Sequence, residues 1–97
     1  MREGSLRVVA RIVARPGRVE EVRELLRGLV GPTRREAGCI TYELLQNVDD
    51  PTDFTFVEEW TDAAALDAHL NSPHLQSLPP DFDRMADVDI RKYTLVE

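Results

Sequence analysis

The sequence holds a single cysteine, Cys39. One thiol forms no intrachain disulfide and no thiolate metal cluster, and the expected compartment is a reducing cytoplasm. Long apolar runs are also missing. No stretch approaches the roughly 18 residues needed to span a bilayer, and Met1-Arg2-Glu3-Gly4-Ser5 lacks the apolar region of a signal peptide. Positive charge is in deficit: 12 Lys and Arg stand against 18 Asp and Glu, for a net charge of −6. Phosphate backbones reward clustered cations, so neither a nucleic acid nor a membrane is an expected partner. The chain has no repeat, no low-complexity tract, no dinucleotide fingerprint and no phosphate loop. Aromatic residues make up only 6% of it, so each one on an apolar face is a candidate for core or pocket.

What remains is a length of 97 residues, enough for one domain over 1–97. Leu6 to Ala14 is rich in Val and Ile and predicts a strand whose two faces both carry apolar residues. Pro16-Gly17 breaks it. Val19, Val22, Leu25, Leu26 and Leu29 recur at steps of three and four, the spacing of an amphipathic helix from Arg18 to about Leu29. Arg18, Arg23 and Arg27 alternate with Glu20, Glu21 and Glu24 on its other side, as a solvated ion-pair face would. Gly31-Pro32 ends or kinks that helix, and Thr33 to Ala37 is able to continue it, with Gly38 as a stop.

Cys39 to Asn47 and Asp53 to Trp60 read as strands. The turn residues Asp49-Asp50-Pro51-Thr52 between them predict an antiparallel hairpin. In the second of these strands, Phe54, Phe56, Glu58 and Trp60 share one face. Thr61-Asp62 supplies an N-cap for a helix from Ala63 to Leu70, with Leu66 and Leu70 as its buried stripe. Asn71-Ser72-Pro73 stops that helix; His74 to Leu78 suggests a short turn, and Asp81 caps a last one carrying Phe82, Met85 and Ala86. Val88 to Val96 completes the pattern as a strand. The order βαββαβ is that of an α+β, ferredoxin-like fold with an antiparallel four-stranded sheet. Two helices cover one face of such a sheet. The other, with Val9, Val13, Val57 and Leu95, is expected to be covered by a second copy in a homodimer.

Several segments resemble a known family: Val8-Val9-Ala10-Arg11-Ile12 with Arg15-Pro16-Gly17; Arg35-Glu36-Ala37-Gly38-Cys39-Ile40-Thr41-Tyr42-Glu43; and Glu58-Glu59-Trp60 leading to His69-Leu70-Asn71-Ser72-Pro73-His74. Over essentially its whole length the chain is similar to antibiotic-biosynthesis monooxygenase domains of the quinol-monooxygenase type. That resemblance implies a dimeric α+β barrel with a pocket between sheet and helices. It further implies oxidation of a quinol or phenolic, polyketide-like molecule by oxygen with no added cofactor. Relatives on the same fold isomerise a small oxygenated metabolite or degrade haem. Where the haem-degrading branch carries Trp and a ligating His, this chain has His69 and Pro79, which argues against haem chemistry.

The candidate site follows from residue chemistry. Oxidation without a cofactor requires the substrate to become an electron-rich anion, and an imidazole is the natural base to make it. His69 borders the buried stripe of the second helix and is the first choice. His74 and Glu58 are candidates to orient it. Tyr42, Trp60 and Phe56 offer flat walls for a ring, and Arg11 is a candidate partner for an anionic group or for an interface acid. His69 and His74 lie five apart across Pro73, which puts them on different elements, so no metal site is expected. An isomerase or tautomerase would use the same base without oxygen. A non-catalytic binding domain would need only the pocket.

Overall fold

A computed structural model describes residues 4–97. The elements are β1 (Leu6–Ala14), α1 (Val19–Arg34), β2 (Cys39–Gln46), β3 (Asp53–Trp60), α2 (Ala63–Leu70), α3 (Pro73–Gln76), α4 (Phe82–Met85) and β4 (Ala86–Tyr93). One antiparallel four-stranded sheet has the order β2-β3-β1-β4. This is the α+β, ferredoxin-like arrangement that the order of elements implies.

Strand alternation decides what is buried. Val8, Ala10, Ile12 and Ala14 face the helices from β1, and Phe54, Phe56, Glu58 and Trp60 do so from β3. From α1 the buried positions are Val22, Leu26, Leu29 and Thr33, spaced as one helical stripe. The arginines of the opposite side pair with glutamates one turn away, as in Arg18–Glu21 and Arg27–Glu24. These exposed pairs contribute little to stability, typically below about 1 kcal/mol each.

Three boundaries differ from the sequence reading. Helix α1 runs through Pro32 to Arg34. Proline withdraws only one N–H, and it does so in the last turn, where the helix has few bonds left to lose. Strand β4 covers Ala86–Tyr93 rather than Val88 to Val96. Ala86 leaves the last helical turn to pair with Ala14, and the register reaches Arg7 of β1 at Tyr93, so Leu95 and Val96 have little strand left to pair with. The third difference concerns Gly38. Helix α1 has already ended with Arg35 as its C-cap. Gly38 is where β2 enters against α2: its carbonyl accepts from Thr61 N–H at 2.9 Å, and a Cβ there would collide with the Ala65 side chain.

The connections are made by side chains placed for them. Asp62 accepts from Ala65 N–H at 2.8 Å as the N-cap of α2. Gly17 turns the chain after β1 at φ +82°, which only glycine adopts at no cost. The sheet face turned away from the helices carries Val9, Leu45 and Tyr93 exposed, interleaved with ion pairs such as Arg11–Asp53. Among the described residues no helix is long and apolar enough to cross a membrane.

Candidate active site

Between the sheet and the helices lies a cavity of about 160 Å³. Its walls are aliphatic and aromatic, from Ala10 and Phe56 on the sheet to Leu26 and Leu66 on the helices. It is bounded toward β4 by Val88 and Ile90, whose side chains the helices leave about half exposed. Three groups with chemistry reach this lining: His69, Glu58 and Tyr42.

His69 sits in the last turn of α2 and is buried together with Leu66, one turn earlier. Leu70, expected as the second apolar position, is more than a third exposed. The His69 ring lies over the indole of Trp60 at 4.6 Å between centroids and meets the Tyr42 ring edge-on at 5.4 Å. Its Nδ1 is 2.7 Å from Glu36 Oε2. The same oxygen is 2.7 Å from His74 Nε2. A carboxylate only accepts, so both imidazole nitrogens donate to it. Facing an ionised Glu36, a neutral His69 carries its proton on Nδ1 and its lone pair on Nε2, and its ring lines the cavity.

The convergence has a local cause. Asn71-Ser72-Pro73 ends α2 and starts α3: Ser72 accepts from Leu75 N–H, and Pro73 occupies the first helical turn, where its missing N–H costs nothing. The chain doubles back there, and His74 returns to the glutamate that His69 already holds. Exposure falls along this chain, from 19% for the His74 side chain and 17% for Glu36 to 4% for His69.

Glu58 occupies the middle of the sheet, level with Val8 on β1 and Tyr42 on β2. Burial pushes its carboxyl up to about 7; the Trp60 indole, donating at 2.8 Å, holds it back somewhat, and the charge of Glu36 adds to the rise. The Tyr42 phenol is pushed well above its ordinary range, first by burial and then by the Glu58 charge, with the Thr33 hydroxyl pulling the other way. It stays protonated and so keeps an O–H to donate. Tyr42 also stacks on Phe56 at 4.6 Å.

The structure thus gathers His69, Glu58, Tyr42 and Phe56 around one cavity. Two expected members stand elsewhere. Trp60 is wholly buried behind His69 and Glu58 and supports them instead of forming a wall. Arg11 points to the opposite face of the sheet and pairs with Asp53 of its own chain at 2.9 Å. His74 meets His69 only through Glu36. Glu36 itself was not singled out in the sequence: it lies 33 and 38 positions from its partners, and no local spacing marks it.

The family model for antibiotic biosynthesis monooxygenases matches residues 5–78. In Mycobacterium tuberculosis, "Putative monooxygenase Rv0793" is 37% identical over 67 residues, which are 69% of this chain and 65% of that protein. A Synechocystis protein, sll1783, is 34% identical over 67 residues, 69% of this chain and 46% of its own length. The matched stretch thus spans about half to two thirds of these curated relatives. Among solved structures, PA3566 of Pseudomonas aeruginosa superposes with a TM-score of 0.93 at 34% identity, covering 100% of this chain and 99% of that one.

Proposed function

The chain belongs to the antibiotic biosynthesis monooxygenase family, and from that premise we propose that it oxidises a small quinol or phenol with molecular oxygen, with His69 as the base. The observation that carries this reading is the 2.7 Å contact from His69 Nδ1 to Glu36, on a ring that lines the cavity. A carboxylate behind the imidazole fixes its tautomer and stabilises the imidazolium that proton abstraction creates. Glu36, rather than Glu58 or His74, is then the residue that orients the base.

The steps balance without an external reductant. Nε2 takes a proton from a phenolic O–H or an activated C–H. The resulting anion is electron-rich enough to reduce oxygen. One oxygen atom bonds to substrate carbon, and the other leaves as water with two hydrogens lost by the substrate, which supplies all four electrons. A protonated Glu58 or the Tyr42 hydroxyl donates to the developing oxyanion. Phe56 and the Tyr42 ring hold the substrate flat. A cavity of about 160 Å³ lies below the roughly 300 Å³ where drug-sized pockets begin, so a single-ring substrate fits better than a polycyclic one. A second copy of the chain covers the outer sheet face in a homodimer, which the exposed Val9, Leu45 and Tyr93 support.

Glu58 and His69 on one cavity also suit a tautomerase, because a proton taken by one could be returned by the other. Turnover of single-ring hydroquinones in air and under argon separates the two. Loss of turnover under argon, with one atom of labelled oxygen in the product, is expected; equal turnover under argon would assign the isomerase.

A further inference from the structure

The glutamate between the two histidines holds the makings of a second chemistry. His69 Nδ1, His74 Nε2 and Glu36 Oε2 all lie within 4.8 Å of one another. They come from three separate places, the end of α2, the start of α3 and the α1–β2 connection. Two imidazoles and a carboxylate are a donor set that suits zinc and its divalent neighbours. Tetrahedral donors at metal distances of roughly 2.0–2.1 Å stand about 3.3 Å apart. To admit an ion of this kind the two 2.7 Å contacts need to open by about 0.6 Å, and the two imidazole nitrogens, within 4.8 Å of each other, need to draw together.

We propose that Glu36, His69 and His74 bind a divalent first-row transition metal, with zinc the best match, and that the bound metal disables His69 as a base. The second half rests on the function proposed above; the binding does not. The proton count is simple. In a neutral imidazole, one nitrogen carries the proton and the other the lone pair. Facing Glu36, both rings present the proton-bearing nitrogen. A metal needs the lone pair there, so each ring must move its proton to the opposite nitrogen. For His69 that nitrogen is Nε2, on the ring that lines the cavity. Metal-bound His69 then offers the cavity an N–H in place of a lone pair. No electron moves and no net proton is lost, yet the base becomes a donor. One imidazole serves either the metal or the substrate.

Zinc titration of the tag-free, chelator-treated chain by calorimetry tests the binding without any substrate. Nitrogen NMR of the two imidazoles reads the tautomers. The expected result is one zinc per chain with micromolar or tighter affinity and a switch of His69 from the Nδ1–H to the Nε2–H form. Glu36→Gln and His74→Ala should each weaken binding at least about tenfold, with circular dichroism confirming their fold. Absence of stoichiometric binding up to about 1 mM zinc, or binding that both folded variants retain, would overturn the proposal. Should one variant fail to fold, the tautomer switch in the unaltered chain decides alone: zinc binding that leaves the His69 proton on Nδ1 places the metal elsewhere. Zinc binding with no oxidation of any quinol would tell against the proposed function while leaving the metal site standing.

Discussion

Burial holds two polar residues of the cavity, Glu58 and Tyr42, toward their protonated forms. Glu58 shows it most directly. Its folded-state pKa, about 7, lies above the ordinary glutamate value of 4.5, so between those values the folded chain binds more protons than the unfolded one. Stability tied to this group is full at low pH and is lost as pH rises through about 7. The expected loss is on the order of 3 kcal/mol. Glu58→Gln keeps the shape and an acceptor for Trp60 but removes the charge. Chemical denaturation should find the variant close to the parent at pH 5 and more stable by up to about 3 kcal/mol at pH 8; equal stability at pH 8 would show that the carboxylate is not destabilised by its burial. For Glu36→Gln, kcat should fall about ten- to a hundredfold with KM less affected, since outer-shell partners of a histidine carry effects of that size. At this scale the sequence brought out His69, Glu58, Tyr42 and Phe56, which line the candidate site, and missed Glu36. His69 and Glu58 were legible because each is a polar residue at an apolar position of a periodic element. Glu36 was not, because it lies in a connection outside any periodic element, 33 and 38 positions from the histidines it meets.

At the scale of elements, the site depends on how closely α2 approaches the start of β2. Gly38 and the run Ala63-Ala64-Ala65 leave room for it. Gly38→Ala puts a methyl group into the Ala65 side chain and should cost about 1–3 kcal/mol, the usual range for overpacking. A melting temperature within a degree of the parent would show that the two elements can separate freely. Asp62→Ala removes the side-chain acceptor that caps α2 and should cost about 1 kcal/mol. Strand alternation and helical spacing made the order of elements readable. The boundaries that moved, at Pro32 and at both ends of β4, are set by neighbours: a helix that loses a single bond continues, and a strand lasts as long as its partner does.

At the scale of the whole molecule, one sheet face is covered by helices and the other is not. Exposed Val9, Leu45 and Tyr93 are expected to be buried against a second copy, and light scattering should give twice the chain mass at micromolar concentration; a monomer would leave that face to another partner. The proposed function needs only the inner face, where a buried imidazole paired with Glu36 lines a cavity of about 160 Å³. The most direct test of that claim is oxygen uptake by the chelator-treated chain on single-ring hydroquinones, compared with His69→Ala. Uptake above the rate of autoxidation, reduced about a hundred- to ten-thousandfold in the variant with its fold intact, is the predicted result. Undiminished uptake by His69→Ala would contradict it.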